Sequence, residues 1–219
     1  MSGSEAMRER IIDQATQAFL AYGYTVVTTE AIAARLGISK KTLYRYFTSK
    51  EELLRSVVER EMGRVEEALD AVLLDPGLRY LDKLGRIIEI ISAQIARLGK
   101  SFAWDVFRSA PDVWRVVEEF RHRVLFEKVG VLIREGADRG FVRPEISFPL
   151  VLRLLRVVME NVLHPETMSE LELSPEEAYR SLFDILYAGI LSDTGRDLFR
   201  SVAPGGRESD AAGGDSEEV

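Results

Sequence analysis

From Ile11 onward the apolar residues of this chain recur at intervals of three and four, the spacing of one buried helix face, and they predict an all-α protein. A first helix from about Glu5 to Tyr22 aligns Ile11, Ile12, Ala15, Phe19 and Leu20 and stops at Gly23. Ile32, Ala33, Leu36, Ile38, Leu43 and Phe47 then fit one small core made by two short helices. Gly37 stands where the chain must reverse between them, a place that asks for a left-handed backbone. Ser39 is placed to cap the second helix, and Ser49 with Glu52 three residues on reads as a capping box for a third. The stripe of that third helix, Leu54, Val58, Met62, Val65, Leu69 and Val72, runs to about Leu74, before a break at Asp75, Pro76 and Gly77.

Beyond the break, Leu81, Leu84, Ile88, Ile91, Ile95 and Leu98 predict a helix ended by Gly99. A short aromatic segment comes next, with Phe102, Trp104 and Phe107 ahead of Pro111. A long helix is expected from Asp112 to about Arg139, facing Trp114, Val117, Phe120, Val124 and Val131 inward and fraying at Gly136 and Gly140. The helix expected from Ser147 to Leu163 is apolar on more than one side, which a monomer would leave partly exposed. Ser174, Pro175, Glu176 and Glu177 form a second capping box with proline at the first helical position, opening a last helix through about Leu191.

The segment from Val26 to Leu54 is therefore a helix-turn-helix. Charge adds to this: between Thr29 and Lys50 five basic residues stand against Glu30, a net +4 in a chain of formal charge −7, so the remainder carries −11. Only one end of the molecule suits a phosphate backbone, and the acidic pI of about 5.1 does not argue against nucleic acid. Candidate DNA contacts are Thr28 or Thr29 at the start of the first short helix, then Ser39, Lys40, Lys41, Thr42, Tyr44 and Arg45, and Lys50 at a helix start where backbone amides help hold a phosphate.

Residues 8 to 60, with AFLAYGY, VTTEAIAARLG and ISKKTLYRYFTSKEEL in that order, closely resemble the DNA-binding domain of the TetR family of bacterial transcriptional regulators. The resemblance implies a homodimeric repressor of palindromic operator DNA, with the serine-led helix in the major groove and phosphates held by Tyr44 and Lys50. It also implies that the remaining helices form an effector pocket and a dimer interface. Lys41 departs from the glycine or alanine common at that position, which opens either a base contact or one more phosphate contact.

The expected organisation is a helix-turn-helix domain over residues 1–50, a connecting helix from 50, a helical effector-binding and dimerisation domain over 51–200, and a disordered acidic tail over 204–219. Phe102, Trp104, Phe107, Trp114, Phe120 and Phe126 are candidates to line a pocket for a small, largely apolar effector, plain core packing being the alternative. Leu152, Leu155, Met159, Leu182, Leu186 and Gly189 are candidates for a four-helix dimer interface. His122, four residues after Glu118, is a metal or polar-effector candidate set against an ordinary core-edge histidine, and His164 reads as a loop residue. With two histidines, no cysteine, no HExxH spacing and no phosphate-cradling glycine loop, the chain offers no metal site, cofactor or catalytic constellation, and an enzyme is a remote alternative. An activator, or an architectural DNA-binding protein without an effector, is the nearer one. No apolar run reaches membrane-spanning length, and a cytoplasmic protein is expected.

Overall fold

The computed structural model describes residues 3–162, 164–172, 174, 177–178, 181–182, 185 and 189–200. The expected acidic tail, Leu163, Pro175, Glu176 and Leu186 lie outside the described residues. Among the described residues the architecture is all-α, with a single isolated antiparallel bridge between Val142 and Leu191. The helices are α1 Gly3–Tyr22, α2 Thr29–Leu36, α3 Lys40–Tyr44, α4 Lys50–Leu73, α5 Tyr80–Ser109, α6 Pro111–Val124, α7 Gly130–Asp138, α8 Phe148–Val157, α9 Pro165–Glu170 and α10 Asp193–Arg200. Single π-helical segments, Leu125–Val129 and Val158–Val162, continue α6 and α8.

The core has three parts, and α4 joins the first two. Its N-terminal half sends Leu53, Leu54, Val57 and Val58 into a cluster with Ile11, Phe19, Ile32, Leu43 and Phe47 of α1–α3 and the adjoining turn. Phe102 and Val106 of α5 and Val113 and Trp114 of α6 close the same cluster. The C-terminal half of α4 sends Val65, Leu69 and Val72 against Tyr80, Leu84 and Ile87 of α5, Val124 and Leu132. Ile133, Val142, Val151, Leu152 and Ile190 make the third part.

Several expectations need correction or refinement. Gly99, at φ 66° and ψ 159°, interrupts the helix that begins near Leu81 as expected, but a second helix follows at once and runs through Ser109. The amphipathic run from Phe102 to Val106, which docks on the first cluster, gives the chain reason to re-enter the helix, so the aromatic segment is helical. The single helix expected from Asp112 to Arg139 is instead α6, a π segment and α7. The wider π turn rotates α7 relative to α6, leaving Val131 exposed and Gly136 buried. The helix expected from Ser147 to Leu163 is likewise α8 with a π segment behind it, and α9 occupies part of the stretch expected to be loop, beginning directly after His164. In the first capping box, Ser49 Oγ accepts from the Glu52 amide at 3.0 Å, but Glu52 Oε2 accepts from the amide and hydroxyl of Thr48, both at 2.6 Å, one residue earlier than the usual reciprocal bond. The second box has both bonds, Glu177 N to Ser174 Oγ at 3.1 Å and Ser174 N to Glu177 Oε2 at 2.9 Å.

Gly136 is required by proximity. A Cβ there would lie 2.2 Å from Tyr80 Oη and 2.7 Å from Tyr80 Cζ, and Tyr80 is itself buried deeply enough that desolvation pushes its phenol up to about 12. Gly63, in the middle of α4, has nothing within 4 Å of the same position. Gly136→Ala should therefore destabilise the fold by about 1–3 kcal/mol through overpacking, whereas Gly63→Ala should stabilise it by roughly 0.5–1 kcal/mol through helix propensity. Urea unfolding of the two variants checks both signs.

Candidate nucleic-acid interface and ligand cavity

The turn between α2 and α3 is built by backbone geometry. Gly37 adopts φ 68°, ψ 27°, its amide donates to Ala34 O at 3.1 Å, and the Ile38 amide donates to Ala33 O at 3.0 Å, the paired bonds of a Schellman motif. Thr28 caps α2 by accepting from the Ala31 amide at 3.2 Å, and Ser39 caps α3 by accepting from the Thr42 amide at 3.0 Å. Leu43 and Phe47 are fully buried, so α3 is pinned by its apolar side and turns Ser39, Lys40, Lys41, Tyr44 and Arg45 outward, with Thr42 half-buried.

These outward residues are not equivalent. Lys40 is ion-paired with Glu30 and lies 5.6 Å from the centre of the Tyr44 ring. The hydrogen bond to Glu30 holds the Lys40 ammonium above its ordinary value. Lys41 and Arg45 have no ion pair or side-chain hydrogen bond among the described residues, and they are the free cations of this surface. Lys50 is half-buried, its ammonium donating to Thr25 O at 3.2 Å and stacked 4.4 Å from the Tyr24 ring; burial pulls its pKa down, with Asp105 acting in the opposite sense. Thr29 must be removed from the surface set: it is 4% exposed, and its hydroxyl lies 3.1 Å from Glu30 Oε2 and 3.3 Å from Tyr44 Oη. Thr28 remains exposed.

The loop before α2 is fastened to α5. Asp105 Oδ2 accepts from the Thr25 amide at 2.7 Å, its Oδ1 accepts from the Thr25 hydroxyl, and the Ser109 hydroxyl donates to it at 3.3 Å. Burial pushes the Asp105 carboxyl up, but the bonds from Thr25 and Ser109 more than offset this and hold it below the usual carboxylate range. Sequence reasoning misses this link, for which the one signal is an acid set among aromatic residues in FAWDVF.

A cavity of about 230 Å³ lies between α4, α5, α6 and α8. Of the six aromatic candidates, Phe102, Trp114 and Phe120 line it. Trp104 and Phe107 do not: Phe107 packs against Trp104, Trp114 and the edge of His164, at ring-centre distances of 5.9, 5.7 and 4.6 Å, and Phe126 is largely exposed. The expected dimer residues Leu155, Met159 and Leu182 also line the cavity and Leu152 is buried, so these point inward; Gly189 is exposed. The opposite side of α8 carries Leu150, Leu154 and Val157, which are 55%, 48% and 48% exposed. His122 Nε2 lies 3.0 Å from Glu160 Oε1, while Glu118 accepts from Trp114 Nε1 at 2.9 Å, so His122 and Glu118 have separate partners. Among the described residues no group of three potential ligands is placed to hold a metal ion, and no helix is long and apolar enough to cross a membrane.

Glu61 and Arg121, two lining residues that sequence reasoning passes over, share one signal. Glu61 continues the stripe of Leu54 and Val58 toward Val65, and Arg121 sits between Val117 and Val124, so each is a charge at a position where the helical period asks for an apolar residue.

A helix-turn-helix with free cations on its outer helix, anchored to a helical body that encloses a cavity, defines a DNA-binding regulator. Comparison with known proteins narrows the class. Residues 11–57 match the model for bacterial regulatory proteins of the tetR family. The chain is 24% identical to the uncharacterised HTH-type transcriptional regulator YvaF of Bacillus subtilis over 87% of this chain and 99% of that one. It is 41% identical to the HTH-type transcriptional repressor KstR of Mycolicibacterium smegmatis over 36% of this chain and 40% of that one. The fold is shared with a putative transcriptional regulator from Saccharomonospora viridis in complex with choline, at TM-score 0.66 and 19% identity, covering 86% and 99% of the two chains. Residues 11–57 thus match the DNA-binding domain of the tetR family, and the relatives that align along most of the chain are transcriptional regulators.

Because the native Asp105 carboxyl is depressed, its contribution to stability is complete above the unfolded carboxylate range and is lost as pH falls through the lower, native value. Asp105→Asn should be less stable than the parent at neutral pH, by about 1 kcal/mol after allowance for solvent screening. The gap should close as pH drops below about 4. Urea unfolding of both proteins across that range measures it.

Proposed function

We propose that the protein is a homodimeric repressor that occupies a palindromic operator and is released by a small, largely apolar molecule bound in the cavity between α4 and α6. The observation that carries this reading is the shared wall. Val57, Val58 and Val65 of α4 and Phe102 and Val106 of α5 line the cavity, and each also belongs to one of the two clusters that α4 joins. A molecule that spreads this wall must move α4, and with it the reader unit. The KstR segment of 41% identity, from a repressor, supports repression over activation.

Dimerisation uses the outward row Leu150, Leu154 and Val157 of α8, with exposed Ile185 as a further contributor, because in water this apolar row has no cover among the described residues. Two α3 helices then enter successive major grooves about 34–36 Å apart. An effector that favours the displaced state by about 1–3 kcal/mol lowers operator affinity roughly 5- to 150-fold, and DNA lowers effector affinity by the same factor.

Within the reader, Lys41 is the base-reading cation, while Tyr44, Arg45 and the amides at the start of α4 hold phosphates. Lys41→Ala should cost about 1–3 kcal/mol on the operator and less on scrambled duplex, and Tyr44→Phe should weaken both by similar factors. Titration of each variant against the two duplexes at fixed salt tests this; equal losses for Lys41→Ala would assign Lys41 to the phosphates. Leu154→Glu should give a monomeric mass by light scattering and a loss of operator binding, with the helical content of the parent retained.

A further inference from the structure

The cavity is apolar except at three lining residues, Glu61, Gln94 and Arg121. Glu61 is compensated: its side chain is almost wholly buried, with Arg64 Nη1 at 2.8 Å and Arg97 Nη2 at 3.3 Å. Arg121 is not. Among the described residues it has no ion pair and donates no side-chain hydrogen bond, and its one specific contact is with the Trp114 ring, 5.4 Å from guanidinium carbon to ring centre. Glu118, one turn earlier, lends some opposing charge, but its Oε1 is taken by Trp114 Nε1. Burial depresses the Arg121 guanidinium below its ordinary value, while Arg121 keeps accessible surface on the cavity that it lines. A buried cation without a hydrogen-bonded anion is costly. A guanidinium presents a planar fork of donors that fits a carboxylate with two parallel bonds.

We propose that the effector is an amphipathic anion, a compact apolar body among Ile91, Leu98, Phe102 and Phe120 with its carboxylate on the guanidinium of Arg121. This rests on the sensor reading of the cavity. At about 230 Å³ the cavity lies below the range usual for drug-sized ligands, which limits the apolar body to a short one, the scale of a medium-chain carboxylate. A quaternary ammonium is disfavoured on two counts: it meets the Arg121 charge, and the Trp114 ring that would receive it by cation–π contact is already engaged by Arg121. The neutral alcohol of equal length gains the apolar contacts and forgoes the charge-assisted bonds.

The test uses the full chain with Trp104→Phe, which leaves Trp114, beside Arg121, as the fluorescent reporter and changes a residue that does not line the cavity. Octanoate, 1-octanol and octyltrimethylammonium are titrated by Trp114 emission and by release of operator DNA. Octanoate should bind most tightly and release DNA. Arg121→Gln should weaken octanoate roughly 10- to 100-fold while changing 1-octanol by no more than a few fold. Arg121→Met, which replaces the unpaired charge by an apolar chain, should raise the melting temperature of the free protein and abolish the further rise given by octanoate. Equal octanoate affinity in the parent and Arg121→Gln, or tighter binding of the cation, would overturn the anion assignment and leave the sensor reading standing. DNA binding unmoved by all three compounds and by a broader panel of apolar neutral molecules would remove both.

Discussion

Everything in this molecule hangs on the apolar stripe of α4. One unbroken helix of 24 residues, about 36 Å long at 1.5 Å per residue, buries its first half in the reader core and its second half in the body. Helices bend little between packed segments, so the two cores cannot shift independently of it. Near the middle, Glu61 is 3% exposed and held by Arg64 and Arg97, and Glu66 and Asp70 reach Arg123 and Lys128 across to α6 and the π segment beyond it. The exposed pairs add little free energy. They fix the rotation of α4 about its own axis, which decides which side chains face the cavity.

The features legible in the sequence are those decided within a few residues. Gly37, Ser39 and Ser49 do as their types and positions predict, because a left-handed turn and a hydroxyl cap are local events. Lys41 and Tyr44 face outward because Leu43 and Phe47 must face inward. Direction is not legible where the pattern is degenerate. α8 is apolar on more than one side, so no period distinguishes Leu152 and Leu155, which turn inward, from Leu150 and Leu154, which turn out. Thr28 and Thr29 are chemically alike, but the second lies on the buried Ile32 and Ala33 side of α2, beside Tyr44. Gly99 reads as a stop because glycine tolerates its backbone angles, but tertiary docking of the next turn restarts the helix. The π segments shift the register of every residue behind them, and the spacing of isoleucines and valines carries no mark of that.

The electrostatic layout obeys the same division. The positive charge of the reader is local, and within it Lys40 and Lys50 are already engaged by Glu30 and Thr25, which leaves Lys41 and Arg45 to meet a polyanion. Asp105 is the acid nearest this surface in function: it sits on the body's helix and is bonded to the loop that precedes α2. The reader is thus fastened at two points, by the α4 stripe and by the Thr25–Asp105 bonds, and rotation about α4 alone would stretch the second.

The first core cluster also sets how portable the reader is. Phe102, Val106, Ala110, Val113 and Trp114 belong to that cluster although they lie some fifty residues beyond the helix-turn-helix. A chimaera that moves residues 1–60 onto another regulator's body leaves this part of the hydrophobic seal behind, and the recipient must offer a matching α5–α6 corner in its place. Compatibility between heads and bodies in such exchanges is then decided at that corner, by whether its aromatic and branched side chains fill the same volume, more than at the junction where the two chains are spliced.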